Sequence, residues 1–233
     1  MSDQRPNQKT LSAQQWQALI SAINSMHGIG TQAPAYRDFV RVHVDAMSPA
    51  GMQWGVHRMP MGGGMFSSGR NFLAWHRHFL QLFEQRLQLA DASITLPYWD
   101  WSVDADIPAP LSDAGLLQSW GVTRQPDMTV LPTAHDVAGL AHRTTFASFQ
   151  LTLEHLHDSV HGAVGGTMDT SSSPADPIFF LHHANVDRLW AQWQQAHAGA
   201  TPKNAAETLQ PAPMFGVTVA SQLDIAALGY GYA

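Results

Sequence analysis

The sequence predicts a mainly α protein with long ordered loops and little β. Three observations carry that expectation. Five segments repeat apolar residues at helical spacing, clear alternating strands are scarce, and Gly and Pro cluster between the helical segments. A chain of 233 residues with 45% hydrophobic side chains is long enough to bury a sizeable core. It is read as a single domain over residues 1–233, with 1–11 expected to be flexible.

The first helical segment is expected over Ser12–Met26. Ser12 and Gln15 form a capping-box pattern, and Trp16, Leu19, Ile20, Ile23 and Met26 make its apolar stripe. The second runs from Ala35 to Met47, with Tyr36, Phe39, Val40, His43 and Met47 on one face. A loop over Ser48–Gly69 follows, with three consecutive glycines from Gly62 to Gly64. The third segment, Asn71–Leu89, carries Phe72, Leu73, His76, Phe79, Leu80, Phe83 and Leu87. After a long loop over Asp91–Asp136, the fourth spans Thr145–His161, with Phe146, Phe149, Leu153, His157, Val160 and His161. A loop over Gly162–Pro177 leads to the fifth, where Asp176-Pro177 reads as N-cap then first helical turn. Its face is Phe179, His183, Val186, Trp190 and Trp193. Beyond a loop over Gly199–Pro213, Gly216–Ala220 is a weak strand candidate.

Composition excludes several functions. There is no cysteine, so no disulfide, thiolate metal site or Cys nucleophile exists. The missing cysteine is compatible with any redox compartment. Lys and Arg number 12 against 18 Asp and Glu, a net charge of −6. With no basic block, nucleic acid is not an expected partner. No run approaches the roughly 20 apolar residues that cross a bilayer, so no membrane role is expected. MSDQRPNQKT has no apolar core, so no signal peptide is visible, and the default expectation is cytoplasmic.

Histidine is the informative excess, at thirteen. Four of the five helical segments put one on the apolar stripe. A buried ring nitrogen without a partner costs roughly 1–3 kcal/mol. Helical bundles build metal sites from side chains projecting inward in this way. His157 and His161 lie one turn apart and share a face. No Glu follows His157, so this is not the zinc protease pattern, and the pair of Glu-x-x-His motifs of a di-iron bundle is not present. An all-imidazole donor set suits copper. His182 and His183 point about 100° apart on a helix, and the stripe favours His183 as inward. His78 is expected to face away from His76.

Four segments then carry a family resemblance: FLAWHRHFL (72–80), LPYWDW (96–101), LEHLHDSVHGAVGG (153–166) and DPIFFLHHANVDRLW (176–190). In order and spacing the chain resembles the core domain of tyrosinases and catechol oxidases, the type-3 copper proteins. The final LGYGYA, with Tyr230 and Tyr232, is similar to the tyrosine motif that closes that domain. The resemblance covers about 36–232. It implies a four-helix bundle core holding a dinuclear copper site, with dioxygen bound between the two ions as co-substrate. The first copper would take His43, His57 and His76, and the second His157, His161 and His183. His182 would be a neighbour outside the ligand set.

One departure concerns His57. The family's middle ligand usually lies closer to the Trp-His-Arg histidine, at the position of Ser67, a poor ligand. His57 is the nearest upstream histidine, displaced by the insertion MPMGGGMFSSG. Met59, Met61 or Met65 is the alternative, through a thioether. Many relatives tether the middle ligand through a cysteine thioether. Here hydrogen bonds and packing must orient it, and a glycine-rich loop leaves it mobile.

In the family, an Asn after the first histidine of the second site, with an upstream Glu, holds a water that deprotonates phenols. Asp158 takes the first place here, and Glu154 is the candidate for the second. Asp187 is expected to pair with Arg77 or Arg188, locking the bundle or forming a surface ion pair. Phe179 or Phe180 would either gate the site or serve as core. The resemblance implies tyrosinase activity: hydroxylation of monophenols and oxidation of o-diphenols to o-quinones. A catechol oxidase or o-aminophenol oxidase is the alternative, and an oxygen carrier a lesser one. The implied partners are small phenolic substrates and dioxygen, with a separate copper-delivery or helper protein allowed.

Overall fold

A computed structural model describes residues 3–28, 35–62 and 65–233; side chains are described outside 59–67. Seven α-helices and four short strands occur among these residues. The five expected helical segments appear as α1 (Ala13–His27), α2 (Tyr36–Met47), α3 (Phe72–Gln88), α6 (Phe146–Val164) and α7 (Ile178–Ala196). The capping box at α1 is complete, with Ser12 accepting from the Gln15 amide and Gln15 accepting from Ser12. At α7 the cap is Pro177. The Asp176 carboxylate still accepts from the Ile178 amide at 3.0 Å, and Arg124 holds it at 2.6 and 2.7 Å.

The long loop after α3 contains two short helices, α4 (Ala114–Trp120) and α5 (Ala134–Ala138). Gly216–Ala220 forms only an isolated bridge, Thr208 to Thr218. The loop after α2 folds back as an antiparallel hairpin of β2 (Met59–Gly62) and β3 (Met65–Ser67).

The expectation of a flexible 1–11 is corrected for the described part of that segment. Residues Asp3–Arg5 form β1, which pairs in parallel with β4 (Tyr230–Tyr232). Arg5 is wholly buried. It donates to Glu84 at 2.7 Å, and its guanidinium lies 3.8 Å from the Tyr230 ring centre. The polar sequence concealed this because the order comes from a distant partner strand.

One continuous core runs from α1 through α2 and α3 to α6 and α7. Phe180 stacks on Phe83 with centroids 3.4 Å apart, and Phe149 stacks on Trp193. Beneath α3 and α7 lies a buried polar knot. Asp187 accepts from Arg77 at 2.5 Å, from Arg5 at 3.4 Å, and from Tyr230 and Tyr232 at 2.7 and 2.6 Å. Arg188 turns instead to Asp100 at 2.6 Å. Of the two expected partners Asp187 takes Arg77, in the interior rather than at the surface. Among the described residues no helix is long and apolar enough to cross a membrane.

Candidate metal centre

Four helices and one hairpin base bring seven histidines together. His43 comes from α2, His76 from α3, His157 and His161 from α6, and His182 and His183 from α7. His57 stands just before β2. The rings fall into two groups, His43/His57/His76 and His157/His161/His182/His183, each with one nitrogen per ring within 4.8 Å of the others. The groups face each other, with His76 stacked on His183 at 4.2 Å and 16°.

In four of the rings the nitrogen turned away from the centre is anchored, whereas Nδ1 of His183 is buried without a partner. Nδ1 of His43 lies 2.7 Å from the Ser171 carbonyl, that of His76 2.9 Å from Phe72 O, and that of His161 2.6 Å from Met168 O. Nδ1 of His157 is 3.0 Å from the Asp158 carboxylate. Such partners fix ring orientation and tautomer, leaving Nε2 free to bind. The nitrogens turned inward lack partners: Nε2 of His57, His76 and His161 are buried without a hydrogen bond. His157 and His183 point Nε2 at each other, 3.2 Å apart. Orphaned buried nitrogens converging from several sides are the expected state of imidazoles awaiting cations, because buried polar groups otherwise find partners.

His182 sits closer to the centre than a mere neighbour would. Its ring stacks on His157 at 5.0 Å, and both its nitrogens are buried without partners. Only His183 faces the first group, whereas His182 also lies against Trp101. Phe179 forms the floor, 4.0 Å from His183 and 5.2 Å from His43. Neither Phe179 nor Phe180 lines the cavity above the histidines, and both are wholly buried. Both are core rather than gate. The Met59, Met61 and Met65 side chains lie outside those described.

A cavity of about 250 Å³ opens over His43, His57, His157 and His161. Asp158 is at its rim, half exposed, and also accepts from Arg58 at 2.7 Å. Burial pushes its carboxyl up, but the hydrogen bond from His157 and the Arg58 guanidinium more than offset this and hold it below the ordinary Asp range. Glu154 does not line the cavity. It is buried, with one oxygen taken by the Ser68 hydroxyl and the other by the Gly69 amide at 2.9 Å. Burial pushes its carboxyl up to about 8, against those hydrogen bonds. Arg58 and Ser68 had no signal in sequence, since no spacing rule links a hairpin to a helix so far along the chain.

Burial also lowers the histidines, His43 to about 4 and His57, His76, His161, His182 and His183 well below their ordinary value. These groups charge more readily in the unfolded chain. Their contribution is fully present above about pH 6.5 and is lost as pH falls toward the folded values, on the order of 3 kcal/mol for His43 alone. Glu154 has the opposite sign, destabilising as pH rises from its unfolded value through about 8. The metal-free protein should therefore be most stable near about pH 6–7 and weaken steeply toward pH 4. Urea midpoints across that range check this, and a flat acid limb would contradict the burial of the rings.

Facing imidazole clusters on a helical bundle define a two-ion, all-histidine metal centre. The chain matches the common central domain of tyrosinase over residues 33–130 and 114–196. It is 33% identical to the tyrosinase of Streptomyces glaucescens over 88% of this chain and 87% of that protein. By structure it resembles a functional unit of octopus hemocyanin (TM-score 0.78, 22% identity, 99% of this chain and 68% of that one). It also resembles a tyrosinase from Burkholderia thailandensis (TM-score 0.77, 16% identity, 100% and 74%). The chain belongs to the tyrosinase family. That family uses a dinuclear copper site, and the two histidine clusters fit two copper ions.

Proposed function

We propose that the protein is a copper-dependent phenol oxidase of tyrosinase type, which uses dioxygen to hydroxylate monophenols and to oxidise o-diphenols to o-quinones. The observation that carries this is the cavity over the facing histidine clusters, open to a small aromatic substrate with Asp158 at its rim. His43, His57 and His76 would hold the first copper, and His157, His161 and His183 the second. When bound, the two ions supply dioxygen binding and two-electron redox chemistry.

The protein's own part is to orient the rings, keep the floor dry with Phe179, and manage the phenol proton. Asp158 is charged at neutral pH and can accept that proton directly or through a water. Its depressed pKa makes it a weak base, because proton-transfer efficiency follows basicity. That observation favours the second reading, a catechol oxidase or o-aminophenol oxidase. An oxygen carrier is a third, supported by the likeness to hemocyanin.

Oxygen uptake by the copper-loaded protein separates the three. Turnover of a monophenol, after priming with a trace of o-diphenol, is expected. Turnover of the o-diphenol alone would reduce the proposal to a catechol oxidase. Reversible oxygenation with negligible turnover would replace it with a carrier. Loading to two coppers per chain from free copper ions would show that no helper protein is required.

A further inference from the structure

Of the three histidines in the first cluster, only His57 is not on a helix. The segment that carries it is gripped at both ends by α6. At its start, Arg58 donates to Asp158 at 2.7 Å. At its end, the Ser68 hydroxyl and the Gly69 amide donate to Glu154. One turn earlier on α6, the Gln150 amide reaches Ser68 Oγ at 2.6 Å and the Gly69 carbonyl at 2.9 Å. Between these grips the chain is the β2–β3 hairpin, with Met59 opposite Ser67.

The hairpin's base is closed as well. The Asn71 amide donates to the Gly55 carbonyl at 2.8 Å. Gly69 approaches Val56 so closely that an added Cβ would lie 2.4 Å from the Val56 carbonyl oxygen. Glu154 and Gln150 are buried, where water cannot compete for their hydrogen bonds.

We propose that Gln150, Glu154 and Asp158 are positioning residues that clamp the His57 hairpin onto α6. They take the place of the cysteine thioether that many relatives carry and this chain lacks, and they set how firmly the first copper is held. Because His157 and His161 lie on the same helix, the clamp also fixes the distance between the two copper sites. Asp158 does this from its outer face while remaining at the cavity rim. Glu154, enclosed by Ser68 and Gly69, acts on the hairpin alone. The inference rests on the proposed assignment of His57 to the first copper.

The test is copper release from the loaded protein to a chelator, read alongside amide hydrogen exchange over 57–69. Glu154→Ala should release one of two coppers about tenfold faster, the factor that about 1.4 kcal/mol carries, with the other copper unchanged, whereas Asp158→Ala should loosen both, because Asp158 also anchors His157 Nδ1. Exchange in the hairpin should rise in parallel. The charge-swapped pair Arg58→Glu with Asp158→Arg should recover part of the retention lost in Asp158→Ala. Ser68→Ala, a smaller change, serves if Glu154→Ala does not fold. Unchanged release of both coppers in Glu154→Ala, or equal acceleration of both there, would overturn the clamp. If His57→Ala still holds two coppers firmly, the His57 assignment fails, while hairpin exchange still reports on the clamp itself.

Discussion

Replacing His57 with Ala is expected to leave one firmly held copper instead of two and to lower phenol oxidation by more than about 100-fold. Removing a residue that merely supports a ligand typically costs 10–100-fold, and His57 is proposed as a ligand itself. Its ring packs edge-on against His43 and His76, with centroids at 4.7 and 5.3 Å. Its Nε2 is buried and unpartnered, so the alanine removes a converging donor without breaking a structural hydrogen bond at that atom. Copper analysis after dialysis and oxygen uptake with an o-diphenol measure both effects. Two coppers retained with full turnover would shift the ligand role to another donor on the hairpin.

Asp187→Ala should destabilise the fold by about 3–5 kcal/mol, the usual cost of removing one partner from a buried ion pair. The carboxylate is 3% exposed and the Arg5 and Arg77 side chains 0%. The alanine would leave the Arg77 guanidinium without its counter-charge, while Arg5 keeps Glu84 at 2.7 Å. It would also free the Tyr230 and Tyr232 hydroxyls, loosening the pairing of β1 with β4. Asp187→Asn keeps acceptor capacity and should cost less. Urea unfolding of the metal-free variants separates these effects from copper binding. A loss below about 1 kcal/mol for the alanine would place the pair in the range of solvent-screened surface ion pairs.

Legibility in the sequence followed the range of the forces involved. The helices were readable because their periodicity is local, and α1 starts at its predicted cap. Their ends were less so: α6 continues through Val164, into the glycine-bearing stretch expected to be loop. The order of β1 was hidden, since Arg5 is buried only by Glu84, Asp187 and Tyr230 from distant parts of the chain. By the family resemblance Glu154 is the candidate partner of Asp158 in holding a water. The fold turns its carboxylate toward Ser68 and Gly69 instead.

Thirteen histidines, no cysteine and a histidine on four apolar stripes by themselves determined the kind of centre. Imidazoles would be its donors, helices would carry most of them, and no covalent tether could exist. Those properties are local, set by composition and by the 3.6-residue turn. Periodicity favours His183 over His182 as the inward ring, and tertiary structure adds that it stacks on His76 of the first cluster. Tertiary structure alone decided that a hairpin delivers His57, and that two α6 carboxylates are bound to that hairpin. Each of these depends on chain segments far apart in sequence meeting in a packed interior, where most buried polar atoms find partners, and no pattern along the chain records which ones.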